Sequence, residues 1–123
     1  MTPSNVILVV DDDPFMREIT RIHLESAGYS VALAESGAEG VEKAINIRPS
    51  AVIMDYAMPG VSGAEALKQL RSHAATATTP VLMLSAWSSP ETQREAEHLG
   101  AAWLEKPVIG EALIEALRRL KPQ

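Results

Sequence analysis

The sequence contains no cysteine among its 123 residues. A disulfide framework, a thiolate metal site and a thiol nucleophile are therefore excluded. The apolar run nearest the N-terminus, residues 6–10, is too short for a membrane span or a secretion signal, and no basic stretch precedes it. We therefore expect a soluble, cytoplasmic protein with no membrane partner.

An excess of positive charge is also lacking, because 11 lysines and arginines stand against 16 aspartates and glutamates. Binding to nucleic acid relies on basic surface to neutralise phosphates, so we expect no nucleic acid partner. Hydrophobic residues make up 46% and charged residues 22% of the chain, an ordinary globular composition. The length predicts a single domain over residues 1–123.

Five short apolar runs rich in β-forming residues alternate with longer helical patterns. The predicted strands are residues 6–10, 29–34, 51–54, 81–84 and 101–104. Apolar residues at helical spacing lie between them and after the last, namely Phe15, Ile19 and Ile22, then Val41, Ala44 and Ile45, then Leu67, Leu70 and Ala74, and finally Leu113, Leu117 and Leu120. Such alternation predicts an α/β protein with a parallel sheet of five strands and five helices.

The composition of the runs indicates where each strand lies in the sheet. The first, third and fourth are almost wholly apolar, as strands covered on both faces are, whereas residues 29–33 alternate as an edge strand does. Pro14 and Pro90 stand where helices should begin, and Gly28 and Gly100 where helices should end. The segment 90–99 is the weakest helix, because only Ala96 and Leu99 give it an apolar stripe.

Polar residues that can carry chemistry follow four of the predicted strands. Three acids, Asp11, Asp12 and Asp13, follow the first strand, and Asp55 follows the third. Ser85 comes after the fourth strand and Lys106 after the fifth. Because ligand sites of parallel sheets form just beyond the carboxyl ends of the strands, we expect these side chains to converge at one edge.

The chemistry of such a set can be stated from its functional groups. Carboxylates packed together repel one another, and a hard divalent cation such as Mg²⁺ relieves that repulsion through oxygen ligands. A carboxylate can also attack phosphorus and form an aspartyl phosphate. A lysine and a hydroxyl can then meet the phosphoryl oxygens, since phosphoryl transfer depends chiefly on positioning and charge neutralisation.

In these residues the sequence resembles the receiver domains of two-component response regulators, including the single-domain chemotaxis type. The resemblance extends from about residue 5 to residue 120 and rests on the motifs at 9–14, 54–60, 85–86 and 106–107. It implies a flavodoxin-like, doubly wound parallel sheet of five strands in the order 2-1-3-4-5, a fold for which that order is known. It also implies a switch in signal transduction, controlled by phosphorylation, rather than a conventional enzyme.

The resemblance implies a role for each matching residue. Asp55 would be the phospho-acceptor, and Asp11 and Asp12 would bind Mg²⁺ or Mn²⁺ together with Asp55 and the backbone carbonyl of Ala57. Lys106 would pair with a phosphoryl oxygen, commonly before a cis bond to Pro107. Ser85 would contact the phosphoryl group and move on activation together with Trp103, the aromatic switch position. A histidine kinase or a histidine phosphotransfer protein would be the donor, the domain would assist its own phosphorylation and dephosphorylation, and the surface of helix 4, strand 5 and helix 5 would contact a downstream protein.

Some positions depart from the family pattern or admit a simpler interpretation. Ala57 and Trp87 stand where many relatives carry polar residues, which puts the dephosphorylation rate in question, and Trp103 is bulkier than the usual Tyr or Phe. Asp13 is also interpreted as the cap of the helix that begins near Pro14. Trp103 also admits the interpretation of a core aromatic. The three histidines, His23, His73 and His98, are interpreted as solvated.

Three alternative functions stay open. A haloacid-dehalogenase-like phosphatase would use Asp11 of the sequence Asp11-Asp12-Asp13 as its nucleophile, but Phe15 stands where that motif has Thr or Val, and Asp55 is left unexplained. A degenerate receiver would bind partners without phosphorylation, which the intact acid set disfavours. The chain could also be a receiver module taken from a hybrid kinase or a larger regulator.

Overall fold

A computed structural model describes residues 5–86, 89–106 and 110–120 of the chain. Strands and helices alternate strictly within it. In chain order they are β1 (Val6–Val10), α1 (Pro14–Ser26), β2 (Ser30–Ala34), α2 (Gly37–Ile47), β3 (Ala51–Asp55), α3 (Gly63–Ser72), β4 (Val81–Ser85), α4 (Pro90–His98), β5 (Ala102–Glu105) and α5 (Gly110–Arg119). None of the helices in these ranges is long and apolar enough to cross a lipid bilayer.

The five strands form one parallel sheet in the order β2-β1-β3-β4-β5. This order confirms the predicted doubly wound fold, with β2 at an edge and with β1, β3 and β4 in the interior. All residues of β3 and β4 are buried, as the apolar composition of these runs predicted. The reversal of strand order between β1 and β3 is where this class of fold binds ligands.

A hydrophobic core lies on each face of the sheet, because successive residues of a strand point to opposite sides. On one face, Leu8 and Val10 of β1 pack with buried residues of α2, α3 and α4. On the other face, Ile7 and Val9 pack with Leu24 of α1 and with buried residues of α5. The sheet is thus covered on both faces, and its functional groups can emerge only at its edges and at the strand ends.

The helix boundaries follow the predicted signals. The Asp13 side chain caps α1 by accepting hydrogen bonds from the backbone N–H groups of Phe15 and Met16, which confirms the capping interpretation. Pro14 and Pro90 are the first residues of α1 and α4. Gly28 and Gly100 adopt φ angles of 95° and 81° after these helices, a backbone region that favours glycine.

Several boundaries differ from the prediction by one or two residues. Tyr29 and Ala101 lie outside β2 and β5, while Asp55, Ser85 and Glu105 are the last residues of their strands. Ala74 lies beyond the end of α3, and Leu120 lies beyond the end of α5. These shifts are physically expected, since the backbone hydrogen bonds of a strand continue past the last apolar side chain, and helix ends fray.

The apolar stripe predicted for α1 is directed mainly toward solvent and not toward the hydrophobic core. Phe15 is 70% exposed and Ile22 is 50% exposed, whereas the buried residues of α1 are Thr20 and Leu24. At about 100° per residue, Thr20 and Leu24 lie roughly opposite Phe15 and Ile22 on the helix. Helical spacing predicted the helix correctly, but it could not show which side of the helix meets the sheet.

The segment between α3 and β4 is held in place by Arg71. Its guanidinium donates hydrogen bonds to the carbonyl oxygens of Thr79 and Leu99, both at 2.7 Å. Thr76 is fully buried, and its hydroxyl donates to the carbonyl of Leu70. Arg71 and the buried Thr76 therefore anchor this segment to the core, and Arg71 also ties α3 to the end of α4.

Candidate functional site

Four strands bring the predicted polar residues to one edge of the sheet. Asp11 directly follows β1, Asp55 ends β3, Ser85 ends β4 and Lys106 directly follows β5. Backbone hydrogen bonds join these strand ends, from the N–H of Tyr56 to the carbonyl of Leu84 and from the N–H of Lys106 to the carbonyl of Ser85, at 2.8 and 2.7 Å. Backbone hydrogen bonds alone therefore fix the relative positions of these strand ends.

Three carboxylates form a compact cluster at this edge. One carboxylate oxygen from each of Asp11, Asp12 and Asp55 lies within 4.8 Å of the other two. Asp11 and Asp55 are buried, with 5% and 7% of their surface exposed, while Asp12 faces solvent. The cluster therefore has a buried floor and an open side from which an ion or a substrate can approach.

Lys106 places one positive charge against the buried part of the cluster. Its Nζ lies 3.1 Å from Oδ1 of Asp55 and 3.8 Å from Oδ2 of Asp11. Only 19% of the lysine side chain is exposed, so solvent screens these contacts less than it screens surface ion pairs. Among the described residues, Lys106 is the cation that pairs with these carboxylates, so one paired positive charge faces three acids.

Burial and neighbouring charges both shift the pKa values of the two buried acids. Burial is the main cause that raises the pKa of Asp55, and the charges of Asp11 and Asp12 raise it further, while Lys106 lowers it. Burial also raises the pKa of Asp11, which is lowered in turn by the hydrogen bond from the backbone N–H of Asp13 and by Lys106. A divalent cation bound between these carboxylates would offset the cost of burying them and their mutual repulsion.

Ser85 ends the strand beside β3, and Ala57 follows β3 in sequence. Ser85 is 2% exposed and is the strand neighbour of Glu105 in the register of β4 and β5. Ala57 lies two residues beyond Asp55 in the loop to α3 and is exposed. Trp87 and Pro107, which also belong to the predicted site, lie outside the described residues.

Trp103 packs on the same face of the sheet as α2, α3 and α4. It is partly buried against that core, and its ring is in tilted contact with the ring of Tyr56. The indole Nε1 is buried and has no hydrogen-bond partner among the described residues. Trp103 therefore has the surroundings of a core aromatic, and at the same time it contacts the residue that follows Asp55.

Two residues of the site were missed by the sequence interpretation. Arg17 of α1 donates a hydrogen bond from Nη1 to the backbone carbonyl of Asp11, at 2.7 Å. Gly63, the first residue of α3, lies so close to Asp55 that a Cβ there would be 2.7 Å from the Asp55 carbonyl oxygen. Neither contact involves a motif or a periodic pattern, so the sequence offered no signal for them. The three histidines are exposed, as predicted.

Comparison with known proteins assigns the chain and its fold to one family. The family model of the response regulator receiver domain matches residues 7–118. The response regulator MprA of Mycobacterium sp. (strain KMS) is 41% identical over 115 residues, which cover 93% of this chain and 49% of that protein. The DNA-binding dual master transcriptional regulator RpaA of Synechocystis is 35% identical over 93% of this chain and 48% of its own length. The chain spans about half the length of these curated relatives.

A solved structure agrees with this assignment along nearly the whole chain. The chemotaxis protein CheY4 of Vibrio cholerae superposes with a TM-score of 0.89 at 37% identity, and the match covers 94% of this chain and 98% of that one. The phosphatase alternative with Asp11 as nucleophile finds no support in these comparisons. The chain belongs to the response regulator receiver domain family of two-component signalling.

Proposed function

We propose that Asp55 accepts a phosphoryl group from a phosphohistidine donor, and that this modification switches the domain between two states. The observation that carries the proposal is the position of Asp55. It is a buried carboxylate at the end of a central strand, 3.1 Å from the amine of Lys106 and clustered with Asp11 and Asp12. The Lys106 amine is closer to Asp55, at 3.1 Å, than to Asp11, at 3.8 Å, which favours Asp55 as the nucleophile.

The transfer step conserves atoms and charge in a simple way. A carboxylate oxygen of Asp55 forms a bond to phosphorus while the bond between phosphorus and the imidazole nitrogen of the donor breaks, and the donor histidine keeps that electron pair. Lys106, whose Nζ lies 3.1 Å from Oδ1 of Asp55, would donate a hydrogen bond to an oxygen of the transferred group. Hydrolysis of the aspartyl phosphate by water would return the domain to its first state, and we propose that the same residues assist it.

The acid set fits a hard divalent cation, Mg²⁺ or Mn²⁺. Asp11, Asp12 and Asp55 would hold it, and the carbonyl of Ala57 would complete the protein ligands. Two observations support the fit: the donors are all oxygens, and three carboxylates, two of them buried, lie within 4.8 Å of one another around a single lysine amine. When bound, the cation supplies charge neutralisation for the phosphoryl oxygens.

The proposed conformational change would pass from the acid cluster to Trp103 on β5. Ser85 would turn its hydroxyl toward the phosphoryl group, and Trp103 on the neighbouring strand would change its rotamer in response. This is a shift of population between two conformations, set by the contacts that each one makes. The downstream protein would then contact the surface formed by α4, β5 and α5.

The donor would approach over the N-terminal end of α1. Phe15 is highly exposed, it lies four residues after Asp11, and Ile22 extends the same apolar stripe along the helix. Large exposed apolar side chains that lie beside a polar site favour a protein partner. A histidine kinase or a histidine phosphotransfer protein supplies that partner in this proposal.

The context of the domain is a second proposal. The chain matches about half of MprA and RpaA, and it also superposes on the receiver domain of a histidine kinase from Syntrophus aciditrophicus with a TM-score of 0.84 at 28% identity. A receiver that is part of a larger regulator or a hybrid kinase is therefore an alternative to a free-standing one. Since RpaA is named as DNA-binding, the absence of a nucleic acid partner stays a prediction for these residues.

The proposed acceptor is tested by intact mass after incubation with acetyl phosphate, with and without Mg²⁺. We expect one added phosphoryl group that depends on the metal, and no addition to Asp55→Asn. Asp13→Asn is the matched control, because asparagine can still cap α1, and it should be phosphorylated like the wild type. A phosphoryl group retained by Asp55→Asn would move the acceptor to another acid.

A further inference from the structure

We propose that Arg17 is a positioning residue for the acid pair, and that it acts by holding the peptide plane between Asp11 and Asp12. The inference rests on the proposed function, since it assumes that these acids bind a divalent cation. Arg17 itself would contact neither the cation nor the phosphoryl group. Its role would be to fix the direction in which two ligands point.

The contact is a short hydrogen bond from a charged donor to the backbone. Arg17 Nη1 lies 2.7 Å from the carbonyl oxygen of Asp11, and the Arg17 side chain is only 17% exposed. Hydrogen bonds from an ionised donor are shorter and stronger than neutral ones, and partial burial limits competition from water. The bond also bridges from the second turn of α1 back to the end of β1, so it braces the loop that carries the acids.

That carbonyl belongs to the planar peptide unit that joins Asp11 to Asp12. Asp11 is held at two other points, because its N–H donates to the carbonyl of Ala34 at 3.1 Å and its Oδ1 accepts from the N–H of Asp13 at 3.0 Å. The Asp12 carboxylate is exposed, and no hydrogen bond or ion pair to another described residue holds it. The orientation of Asp12 therefore depends on its backbone, and Arg17 fixes the plane where that backbone begins.

An alternative role for Arg17 is an ion pair with Glu35. Its Nη2 lies 3.9 Å from a Glu35 oxygen, but the Glu35 side chain is 70% exposed. An ion pair that is long and open to water contributes little. The geometry therefore makes the Asp11 carbonyl the principal partner, and the two roles can be separated by changing Glu35 alone.

The test is the Mg²⁺ dissociation constant of the full chain, measured by isothermal titration calorimetry. Arg17→Met keeps most of the apolar stem but removes the donor, and we expect it to raise the constant about tenfold, the low end for loss of a residue that orients metal ligands. Arg17→Lys keeps one charged donor and should recover part of the affinity. Glu35→Gln should stay within about twofold of the wild type.

Arg21→Ala is the matched control from the same helix. Arg21 pairs with Glu18 and Glu25 on the surface and contacts none of the acids, so its removal should leave the constant unchanged. Urea unfolding in EDTA verifies that each variant is folded. If Arg17→Met folds poorly, Arg17→Lys and Glu35→Gln still test the inference. The positioning role predicts weaker Mg²⁺ binding in Arg17→Lys and unchanged binding in Glu35→Gln.

The outcomes separate this inference from the function on which it rests. If the wild type binds no Mg²⁺, the proposed metal site is wrong, whatever Arg17 does. If the wild type binds and Arg17→Met binds equally well, the positioning role is overturned while the metal site stands. An equal loss of affinity in Glu35→Gln would assign the effect to the ion pair and would also overturn the inference.

Discussion

The indole ring of Trp103 lies against the phenol ring of Tyr56, with centroids 5.3 Å apart and planes inclined by 57°. Tyr56 directly follows Asp55 in sequence, and its backbone N–H is bonded to the carbonyl of Leu84 in β4. One peptide unit therefore separates the proposed acceptor from an aromatic contact on the edge strand β5. A shift of the backbone at Asp55 would reach Trp103 without crossing the rest of the core.

This contact predicts that Trp103 fluorescence reports on the state of Asp55. We expect beryllofluoride, a phosphoryl mimic, to change the emission of Trp103 in the presence of Mg²⁺, because the distance and tilt between the two rings would change. The measurement is best made in a Trp87→Phe background, so that one tryptophan remains. Adding Asp55→Asn should abolish the response, and an unchanged spectrum with Asp55 intact would count against Trp103 as a switch.

Lys106 predicts a different pair of effects. Removing its amine in Lys106→Ala should slow phosphorylation by acetyl phosphate about 100-fold, the scale for loss of one donor to developing negative charge. Mg²⁺ affinity should stay the same or rise, because a competing cation leaves the acids. Lys106→Arg should also be impaired, since a planar guanidinium does not reproduce the reach of an ammonium.

Lys68 offers the control for that experiment. It is an exposed lysine of α3 that pairs with Glu95 of α4 at 3.1 Å, and Lys68→Ala should change neither assay. If Lys106→Ala matches the wild type in both phosphorylation and metal binding, its contact with Asp55 has no role in the transfer.

The sequence predicted the acid cluster because only strand order and strand ends were needed to place it. Parallel strands bring their carboxyl ends to one edge, so Asp11, Asp55 and Lys106 converge whatever their side-chain rotamers. The sequence could not predict the hydrogen bond from Arg17 to the Asp11 carbonyl, because hydrogen bonds from side chains to the backbone produce no periodic pattern in a sequence. The exposure of Phe15 was not predicted either. Apolar residues at helical spacing indicate one face of a helix, but they do not show whether that face packs against the sheet.

Gly63 illustrates a constraint that only the packing reveals. A Cβ at this position would lie 2.7 Å from the Cα of Tyr56 and 2.9 Å from the sulfur of Met83, besides its approach to the Asp55 carbonyl. We expect Gly63→Ala to destabilise the fold by about 1–3 kcal/mol, the usual cost of overpacking, and to slow phosphorylation by displacing the backbone of Asp55. Urea unfolding and the initial rate of phosphorylation give the two measurements.

Gly28→Ala is the comparison that separates the two effects of Gly63→Ala. Gly28 follows α1 with a φ of 95°, and a Cβ there would meet no atom within 4 Å. Alanine at that position is strained and should also destabilise the fold. Gly28 lies beyond the C-terminal end of α1, whereas Asp11 and Asp12 precede its N-terminal end, so the phosphorylation rate of the folded protein should be unchanged. Equal rates for both variants would show that Gly63 is needed only for stability.

The acid cluster makes the stability of the metal-free protein depend on pH. Burial and mutual repulsion raise the pKa of Asp11 and the pKa of Asp55 in the folded state. The folded protein then binds more protons than the unfolded chain, whose aspartates titrate near pH 3.9. The contribution of these two acids to the free energy of unfolding should therefore fall as pH rises from about 3.9 through the raised values, and it stays low at neutral pH.

The part of that cost that comes from charge repulsion should decrease when a metal or a substitution neutralises charge in the cluster. We expect Mg²⁺ to bind the assembled cluster and not the unfolded chain, which would stabilise the wild type by about 2.7 kcal/mol at a hundredfold excess over its dissociation constant. Asp12→Asn removes a charge that raises the pKa of both buried acids, and it should stabilise the EDTA-treated protein by roughly 0.5 kcal/mol while removing most of the Mg²⁺ effect. Thermal melts in EDTA and in Mg²⁺ measure both effects, with Glu42→Gln on the exposed side of α2 as a control of equal charge change. A wild-type melt that Mg²⁺ does not shift, or an Asp12→Asn variant less stable than the wild type in EDTA, would show that these acids do not form a shared metal site.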